Sequence, residues 1–169
     1  MKSNITIVGL VDNFKKEVAK VLADKLEKLF ADVNEILIYN FVDGNMLETS
    51  GQEYFDKCEN KVVRQILECE NVLINVNLPT FNKEINYELF KEHSVIVYLK
   101  LNMNQYKTLN KLENYGDKLF LKQDLFKDRD ELLQRKSDVC VEIDELSLKR
   151  CVENILIGLK YFFENNVNN

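Results

Sequence analysis

The sequence predicts an α/β protein, a three-layer α/β/α sandwich in which helices cover both faces of a mostly parallel β-sheet. Four short runs rich in β-branched residues have the composition of strands that are buried in parallel sheets. They are Ile5–Leu10, Val72–Val76, Val95–Leu99 and Val139–Ile143. Segments with apolar residues at helical spacing separate these runs, and such strand–helix alternation implies right-handed βαβ crossovers.

Each helical segment presents one apolar face with the period of an α-helix. These faces comprise Phe14, Val18, Leu22, Leu26 and Leu29 in the first helix; Phe55, Val62, Val63, Ile66 and Leu67 in a second; Ile85, Leu89 and Phe90 in a third; and Val152, Ile155, Leu156, Leu159 and Phe163 in the last. Asp144 or Ser147 is placed to cap the last helix. Three consecutive aromatic residues, Tyr161–Phe163, cannot all face inward on one helix, so we expect at least one to be exposed or covered by a partner.

Length, charge and hydropathy bound the class of protein. The 169 residues suffice for one domain with a full core, which we assign to residues 1–164, with a flexible Asn-rich tail at 165–169. The net charge of −5 and the mixing of basic with acidic residues argue against a nucleic-acid partner. No apolar run approaches the roughly 18 residues that span a bilayer, so no membrane contact is expected.

The cysteines and the start of the chain indicate the compartment. The four cysteines are scattered, without C-x-x-C spacing, and are expected to be reduced and mostly buried. The chain enters its first strand almost at once, so no signal peptide is expected and the protein is predicted to be cytoplasmic. The only histidine, His93, lies far from every cysteine in sequence, so no metal site is predicted.

The loop after the first strand has the position and length of a phosphate-binding P-loop, G-x-x-x-x-G-K-[ST]. Gly9 and Lys15 occupy the positions of the first glycine and the lysine. Phe14 replaces the second glycine, and Lys16 replaces the Ser/Thr that would hold Mg²⁺. A cradle of inward N–H groups requires glycine conformations, and the acidic Asp12 opposes an anion. The sequence therefore predicts a dismantled site that does not bind MgATP.

Such a loop is expected to fold differently from a working P-loop. We expect Asp12 or Asn13 to cap the first helix and Phe14 to pack against the sheet edge or the Leu78–Pro79 loop. Lys15 would then turn toward solvent. The alternatives are that Lys15 still binds phosphate and that the Lys16 ammonium takes the place of Mg²⁺, which would permit metal-free anion binding.

Four further segments occur in a fixed order along the chain. They are Phe30–Ile36, which resembles a second strand with a D-x-D motif; Gly51–Glu59, which resembles G-E-x-x-F-R-x-x-E; Leu73–Leu99, which resembles a stretch from a third strand through a glycine triplet to V-V-Y-L; and Leu125–Ile143, which resembles L-x-x-x-R-x-x-L-Y…A-D-x-x-V. Together with the P-loop position, they make the chain similar to the shikimate kinases over roughly residues 4 to 160. These are small P-loop kinases that phosphorylate shikimate with MgATP. The resemblance implies their fold and a sheet of about five strands.

The resemblance also assigns roles to positions, several of which have changed. Asp32 keeps one aspartate of the D-x-D motif and, with Lys15, is the candidate catalytic residue. Asn34 replaces the aspartate that grips the shikimate hydroxyls and helps to activate one of them, and an amide cannot act as a base. Asp56 replaces the arginine that clamps the shikimate carboxylate, which brings like charges together. Glu59 is kept, although its family role includes holding that missing arginine.

The remaining positions complete the candidate site. The glycine triplet reads Asn77-Leu78-Pro79, which adds side chains and removes an N–H donor. Arg129 matches a second carboxylate-binding arginine, and Lys118 replaces the arginine of the lid as a point charge. The candidate nucleotide-binding residues are Gly9, Lys15, Lys16 and Lys118, and the candidate substrate-binding residues are Asn34, Glu59 and Arg129.

Because phosphoryl transfer depends on positioning and electrostatics, simultaneous changes in both substrate sites predict a catalytically inactive pseudoenzyme or interaction module without a cofactor. Such a module would bind an unknown protein partner or associate with itself. Two alternatives stay open. One is a divergent functional kinase, for shikimate or another small molecule, that uses ATP and Mg²⁺ through Lys15, Asp32, Lys118 and Arg129. The other is a sensor of an acidic or phosphorylated metabolite.

Overall fold

The computed structural model describes residues 2–41, 46–112 and 123–166, which contain a five-stranded sheet. Its strands are β1 (Asn4–Gly9), β2 (Leu29–Asp32), β3 (Val72–Asn75), β4 (Ser94–Lys100) and β5 (Val139–Glu142). All neighbouring strands are parallel, in the order β2-β3-β1-β4-β5. The predicted fold class is confirmed.

Helices cover both faces of this sheet. They are α1 (Asp12–Lys25), α2 (Val33–Phe41), α3 (Met46–Leu67), α4 (Leu78–Asn82), α5 (Glu84–His93), α6 (Met103–Leu112), α7 (Gln123–Lys136) and α8 (Leu148–Asn166). One core cluster joins the sheet to α1, α6 and α8, and the other joins it to α2, α3, α4, α5 and α7. Helix α3 is kinked at Gly51, where φ is 76°.

The central strands are apolar on both sides because both sides are covered. All six residues of β1 are buried, with Ile5 and Ile7 in the first cluster and Val8 in the second. In β4, Val97 and Tyr98 likewise face opposite clusters. Successive side chains of a strand point to opposite faces, so a strand covered on both faces reads as a continuous apolar run.

Two predicted core positions are wrong. Helix α1 ends at Lys25, and Leu29 lies in β2 with 67% of its surface exposed, because the helical spacing continues by coincidence into a short edge strand. Ile85 is also exposed, in the first turn of α5. The apolar face of α8 is confirmed for Val152, Ile155 and Leu159, which are buried.

The beginning and end of α8 refine the prediction. Ser147 takes the N-cap position, because its carbonyl accepts a hydrogen bond from Cys151 N, and Asp144 does not. Tyr161 is 71% exposed, as expected for at least one residue of the aromatic triplet. The helix continues through Asn166, and residues 167–169 of the predicted tail lie outside the described segments.

Three expected absences concern membrane, metal and disulfides. Among the described residues, no helix is both long and apolar enough to cross a bilayer. The same part of the chain contains no group of three or more His, Cys, Asp or Glu side chains arranged to hold a metal ion. All four cysteines are free; Cys58 and Cys151 are buried as expected, whereas Cys69 and Cys140 are exposed. Burial raises the pKa of the Cys151 thiol to about 11.

Candidate functional site

The site residues lie where the carboxyl ends of β1, β2 and β3 meet, which is the edge at which open α/β sheets bind ligands. Gly9 ends β1, Asp32 ends β2, and Asn75 ends β3. Asp32 and Asn75 are paired in the parallel register, and Asn75 Nδ2 donates to Asp32 Oδ2 at 2.7 Å. The fold therefore brings together residues that are far apart in sequence.

The loop after β1 is much shorter than a P-loop. Only Leu10 and Val11 separate the end of β1 from the start of α1 at Asp12, and Lys15 N donates to Val11 O at 3.2 Å as in a helix. The N-cap of α1 is Val11, with no side-chain hydrogen bond, so the predicted cap from residue 12 or 13 is wrong. The reason is that the Asp12 carboxylate is bonded to Lys15 instead. The residues that would cradle a phosphate form a helical turn.

Lys15 is buried, which contradicts the expectation that it faces solvent. The residue is 1% exposed, and its Nζ donates to Asp12 Oδ1 at 2.8 Å and to Val76 O at 2.5 Å. Its stem covers Gly9, since a Cβ atom on Gly9 would lie 3.3 Å from Lys15 Cδ. A buried ammonium is stable only when hydrogen-bonded, and these two acceptors meet that requirement inside the chain.

Phe14 is half-buried against the core shared by α1, α6 and α8. It lies on the same side of α1 as Val11 and Val18, which belong to that cluster. The prediction for Phe14 was the sheet edge or the Leu78–Pro79 loop; Leu78 packs in the opposite cluster, so the second alternative does not hold. The side chain at the second glycine position is therefore part of the core.

Lys16 lies beside two carboxylates. Its Nζ is 2.5 Å from Glu35 Oε1 and 3.6 Å from Asp32 Oδ2. The hydrogen bond to Glu35 is the largest of the interactions that raise the pKa of Lys16, and Asp32 adds to it. An ammonium group thus lies at the position that the Ser/Thr hydroxyl and its metal would take, and it pairs with the two nearby carboxylates, which are the kind of ligand that Mg²⁺ uses.

Asp32, the candidate catalytic carboxylate, is buried and engaged on both oxygens. Its Oδ1 accepts from Glu35 N at 2.9 Å, at the beginning of α2, and its Oδ2 accepts from Asn75. Asn34 is exposed on the same turn. Asp32 therefore caps α2 and holds the end of β3.

A cation lies beside Asp56, the position that the resemblance assigns to the carboxylate-binding arginine. It belongs to Lys83, a residue that the sequence analysis did not identify. Lys83 Nζ lies 2.6 Å from Asp56 Oδ1 and 2.8 Å from Glu59 Oε1. Burial alone would lower the pKa of Lys83, but its hydrogen bonds to these carboxylates raise it overall. Hydrogen bonds, first from Lys83 and then from Gln52, lower the pKa of Asp56. The sequence offered no indication of this pair beyond the opposite charges of Lys83 and Asp56, because Lys83 belongs to no motif.

Glu59 is fully engaged by the chain. It is buried, and it accepts hydrogen bonds from Thr80 Oγ1 at 2.7 Å and from Asn86 Nδ2 at 3.0 Å in addition to its pairing with Lys83. Its carboxylate joins α3 to α4 and α5. The predicted substrate-binding carboxylate thus has three partners within the protein.

The segment at the position of the glycine triplet forms a helix. Asn77 is the N-cap of α4, with its Oδ1 accepting from Thr80 N at 2.8 Å, and Pro79 lies in the first turn. A proline is suited to this position because it lacks only an N–H group that would be unpaired there. The backbone of this segment therefore forms the beginning of α4.

The two remaining candidates lie apart from this cluster. Arg129, on α7, is half-buried near Tyr106, and its charge partly offsets the rise in the pKa of Tyr106 that burial causes. Within the described part of the chain, Arg129 forms no ion pair with Asp32 or Glu59. Lys118 lies outside the described residues.

A small polar cavity remains between α1, β2 and β3. Its volume is about 150 Å³, and its wall is formed by Asp12, Asn13, Lys16, Asp32, Asn34, Asn75 and Asn77. Asn75 Oδ1 is buried and accepts no hydrogen bond from any described residue, an arrangement that costs about 1–3 kcal/mol. Ligand pockets are usually about 300–1,000 Å³, so the cavity is too small to enclose a nucleotide. Side chains of the protein itself form the wall of this cavity.

Comparison of the sequence with known proteins indicates a family. The family model described as "Shikimate kinase" matches residues 14–160. The shikimate kinase of Sulfurihydrogenibium sp. (strain YO3AOP1) is 26% identical over 166 residues, which cover 93% of this chain and 98% of that protein. The shikimate kinase of Xylella fastidiosa (strain 9a5c) is 23% identical over 175 residues, covering 98% and 96%.

Solved structures show the same fold. Shikimate kinase from Bacteroides thetaiotaomicron superposes with a TM-score of 0.77 at 19% identity, over 95% of this chain and 99% of that one. Shikimate kinase from Acinetobacter baumannii, solved in complex with shikimate, superposes with a TM-score of 0.74 at 21% identity, over 92% of each chain.

Proposed function

The chain belongs to the shikimate kinase family, and we propose that it is a catalytically inactive member, a pseudoenzyme that acts as an interaction module. In this proposal, side chains of the protein itself take the places of both substrates' anionic groups. Binding to a protein partner, or to a second copy of the chain, is the activity that remains.

The buried ammonium of Lys15 is the observation that carries the proposal. In a kinase this group must reach the transferring phosphate, whereas here it donates to Asp12 and Val76. Reaching a phosphate requires loss of both contacts. Each charge-assisted hydrogen bond contributes about 1.5–3 kcal/mol, and millimolar affinity corresponds to only about 4 kcal/mol. The cost of opening is therefore comparable to the whole binding energy of a weak ligand.

The residues around Asp56, where the resemblance places the shikimate carboxylate, support the same conclusion. Asp56 bonds to Lys83 and Gln52 much as a bound carboxylate would, and Glu59 shares the same lysine. An incoming acid would have to displace a carboxylate that is covalently part of the protein. This pairing also weighs against a sensor of acidic metabolites.

A divergent kinase is the second candidate, because Gly9, Lys15 and Asp32 are retained and Lys83 supplies a cation near Asp56. It requires an open form of the loop in which Lys15 leaves Asp12. The Lys16 ammonium lies at the metal position and pairs with the nearby carboxylates, so such an enzyme would neutralise the phosphate with lysines or displace Lys16 to admit Mg²⁺.

Calorimetric titration with ATP, with and without Mg²⁺, tests the proposal together with a coupled kinase assay on shikimate at high enzyme concentration. We expect no MgATP binding tighter than millimolar, and any weak binding should be insensitive to Mg²⁺. The Acinetobacter baumannii shikimate kinase serves as the positive control. Turnover within about tenfold of a typical ~10 s⁻¹ would refute the proposal.

A double reversion tests whether the proposed loss of activity has causes in more than two positions of the site. Asp56→Arg combined with Phe14→Gly should not restore activity, because α4 still occupies the triplet position and the new guanidinium would lie beside Lys83. Recovery of turnover in this variant would show that the two substitutions alone had silenced a kinase.

A further inference from the structure

Helix α8 has an outer face with two large apolar side chains at its centre. Ile157 is 68% exposed and Tyr161 is 71% exposed, and because they are four residues apart they lie on the same side of the helix. Val152, Ile155 and Leu159 form the opposite side and are buried in the core that α8 shares with α1 and α6. The outer face of a helix packed on a core is ordinarily polar, so this apolar pair indicates a contact surface.

Charged side chains of alternating sign lie on either side of this apolar centre. Arg150 comes seven residues before Ile157 and Glu164 seven residues after it, while Glu153 and Lys160 lie between them. Three of the four are exposed, and Glu153 is partly exposed. At about 100° per residue, all four point within about 60° of the direction of Ile157. The signs along the face read plus, minus, plus, minus, so the reversed order is their complement.

We propose that this face binds a second copy of the chain, with the two α8 helices antiparallel about a twofold axis at Ile157. Such an axis makes the contact self-complementary, and each interaction occurs twice. Arg150 then faces Glu164 of the second copy. Lys160 lies one residue from the position opposite Glu153 of the second copy, on the same flank of the helix.

The apolar centre supplies the contact area. Ile157 packs against its own counterpart on the axis, and the Tyr161 ring extends this contact on one flank. On that flank Tyr161 lies beside Asn154 of the second copy, whose amide can pair with the hydroxyl. Because two short helix faces bury less than about 1,200 Å², we expect a transient dimer with a dissociation constant of roughly 100 µM.

The signs of the charges select this partner and its orientation. In a parallel pair each residue meets its own counterpart, so Arg150 would lie beside Arg150 and Glu164 beside Glu164, and like charges repel. A nucleic acid or an anionic membrane would meet the carboxylates of Glu153 and Glu164 as well as the two cations. The four charges sum to zero, so they suit a copy of the same face better than a surface of one sign.

Ion pairs within the chain leave these groups available for exchange. Arg150 Nη2 lies 3.3 Å from Asp144 Oδ2, and Lys160 Nζ lies 3.8 Å from Glu164 Oε1. All four side chains are more than half exposed, and exposed ion pairs of this kind contribute little to stability. Their replacement by pairs between copies therefore costs little.

Sedimentation equilibrium of the full chain, from roughly 10 µM to 1 mM, measures the association around the expected dissociation constant. We expect a monomer–dimer equilibrium without larger species, because a twofold contact closes. Ile157→Asp should weaken the dimer by about tenfold or more. Ile85→Asp, the same change at an exposed isoleucine of α5, should leave it unchanged. Far-UV circular dichroism verifies that both variants fold.

Charge reversals test the antiparallel order. Arg150→Glu and Glu164→Arg should each weaken the dimer by about tenfold or more, because each brings like charges together twice. The double variant Arg150→Glu/Glu164→Arg should recover wild-type association, since opposite charges meet again. Lys127→Glu, at an exposed ion-paired lysine of α7, makes the same change in net charge as Arg150→Glu and should have no effect.

As the partner of the interaction module, the second copy rests on the proposed function, but the two proposals can fail separately. A chain that stays monomeric at every concentration would overturn the α8 contact and leave the pseudoenzyme proposal standing. The same holds if Ile157→Asp or the single reversals have no effect, or if the double reversal stays weak. Shikimate turnover by a dimer that behaves as expected would refute the pseudoenzyme proposal and leave the α8 contact standing.

Discussion

Lys15 on the nucleotide side and Lys83 on the acid side both pair with carboxylates of the chain itself, but the two pairs are built differently. Asp12 lies three residues before Lys15 in one helical turn, and the second partner of Lys15 is a backbone carbonyl. Lys83 lies 27 residues from Asp56 in sequence, and its side chain is 30% exposed. In the local pair only the lysine is buried, since the Asp12 side chain is 47% exposed, whereas both side chains of the long-range pair reach solvent.

This difference indicates which side is more firmly closed. Opening the nucleotide side requires a buried ammonium to leave both of its acceptors, Asp12 Oδ1 and Val76 O. The acid side requires only that the side chains of Asp56 and Lys83 rotate apart at the surface. If the proposed function holds, nucleotide binding should therefore be harder to restore by substitution than acid binding.

The largest expected effect separates the two carboxylates that share Lys83. Glu59→Ala leaves the Thr80 hydroxyl and one Asn86 N–H without their acceptor, while Lys83 keeps Asp56, and each buried donor left unpaired costs about 1–3 kcal/mol. Asp56→Ala removes an exposed partner and should cost less than about 1 kcal/mol. Urea denaturation measures both. Equal losses would mean that the cluster is not held together by its buried carboxylate.

Phe14→Gly comes next and tests whether the altered loop belongs to the core. Loss of a half-buried ring together with a glycine in a helical turn should lower the free energy of unfolding by about 2–3 kcal/mol. Phe14→Leu, which keeps much of the apolar contact, should cost less than about 1.5 kcal/mol. Equal or higher stability of the glycine variant would argue that the ring obstructs a loop that still prefers the open form.

Lys15→Met asks whether the buried lysine has a structural role. The substitution keeps an apolar stem and leaves Val76 O without a donor, so we expect a loss of about 1–3 kcal/mol. Lys16→Met is the control, because Lys16 is partly exposed and its pair should be worth less than about 1 kcal/mol. A lysine that is positioned to bind phosphate usually contributes little to the stability of the fold. Unchanged or increased stability in Lys15→Met would therefore favour a functional site.

The sheet could be predicted from sequence because burial on both faces leaves a direct mark on each strand. Runs such as Ile5–Leu10 and Val95–Leu99 need no information from distant residues. The edge strand β2 has only four residues and one buried position, and so Leu29 was assigned to the preceding helix. Edge strands leave a weaker pattern, since one side of the pairing is missing.

The site was less predictable because its contacts join distant residues. The depth of Lys15 depends on the carbonyl of Val76, 61 residues away, and no local pattern encodes that contact. The Asp12–Lys15 ion pair could have been predicted, however, because these residues have the i, i+3 spacing of a helical ion pair. Lys83 belongs to no motif, and its role depends on how α3 packs beside α5.

The smallest expected effect concerns pH and tests the charge of Asp56 in its pair with Lys83. Hydrogen bonds from Lys83 and Gln52 hold the pKa of Asp56 below its ordinary value, so the pair stabilises the fold fully above the unfolded-state pKa. That contribution is lost as the pH falls below about 4, through the lowered pKa of the folded state. The loss should be under about 1 kcal/mol because the pair is exposed, and added salt should reduce it further. Stability measured against pH in wild type and Asp56→Asn should therefore converge at the acidic end and separate above it. A difference that stays constant through the acidic range would show that Asp56 acts through packing, not through its charge.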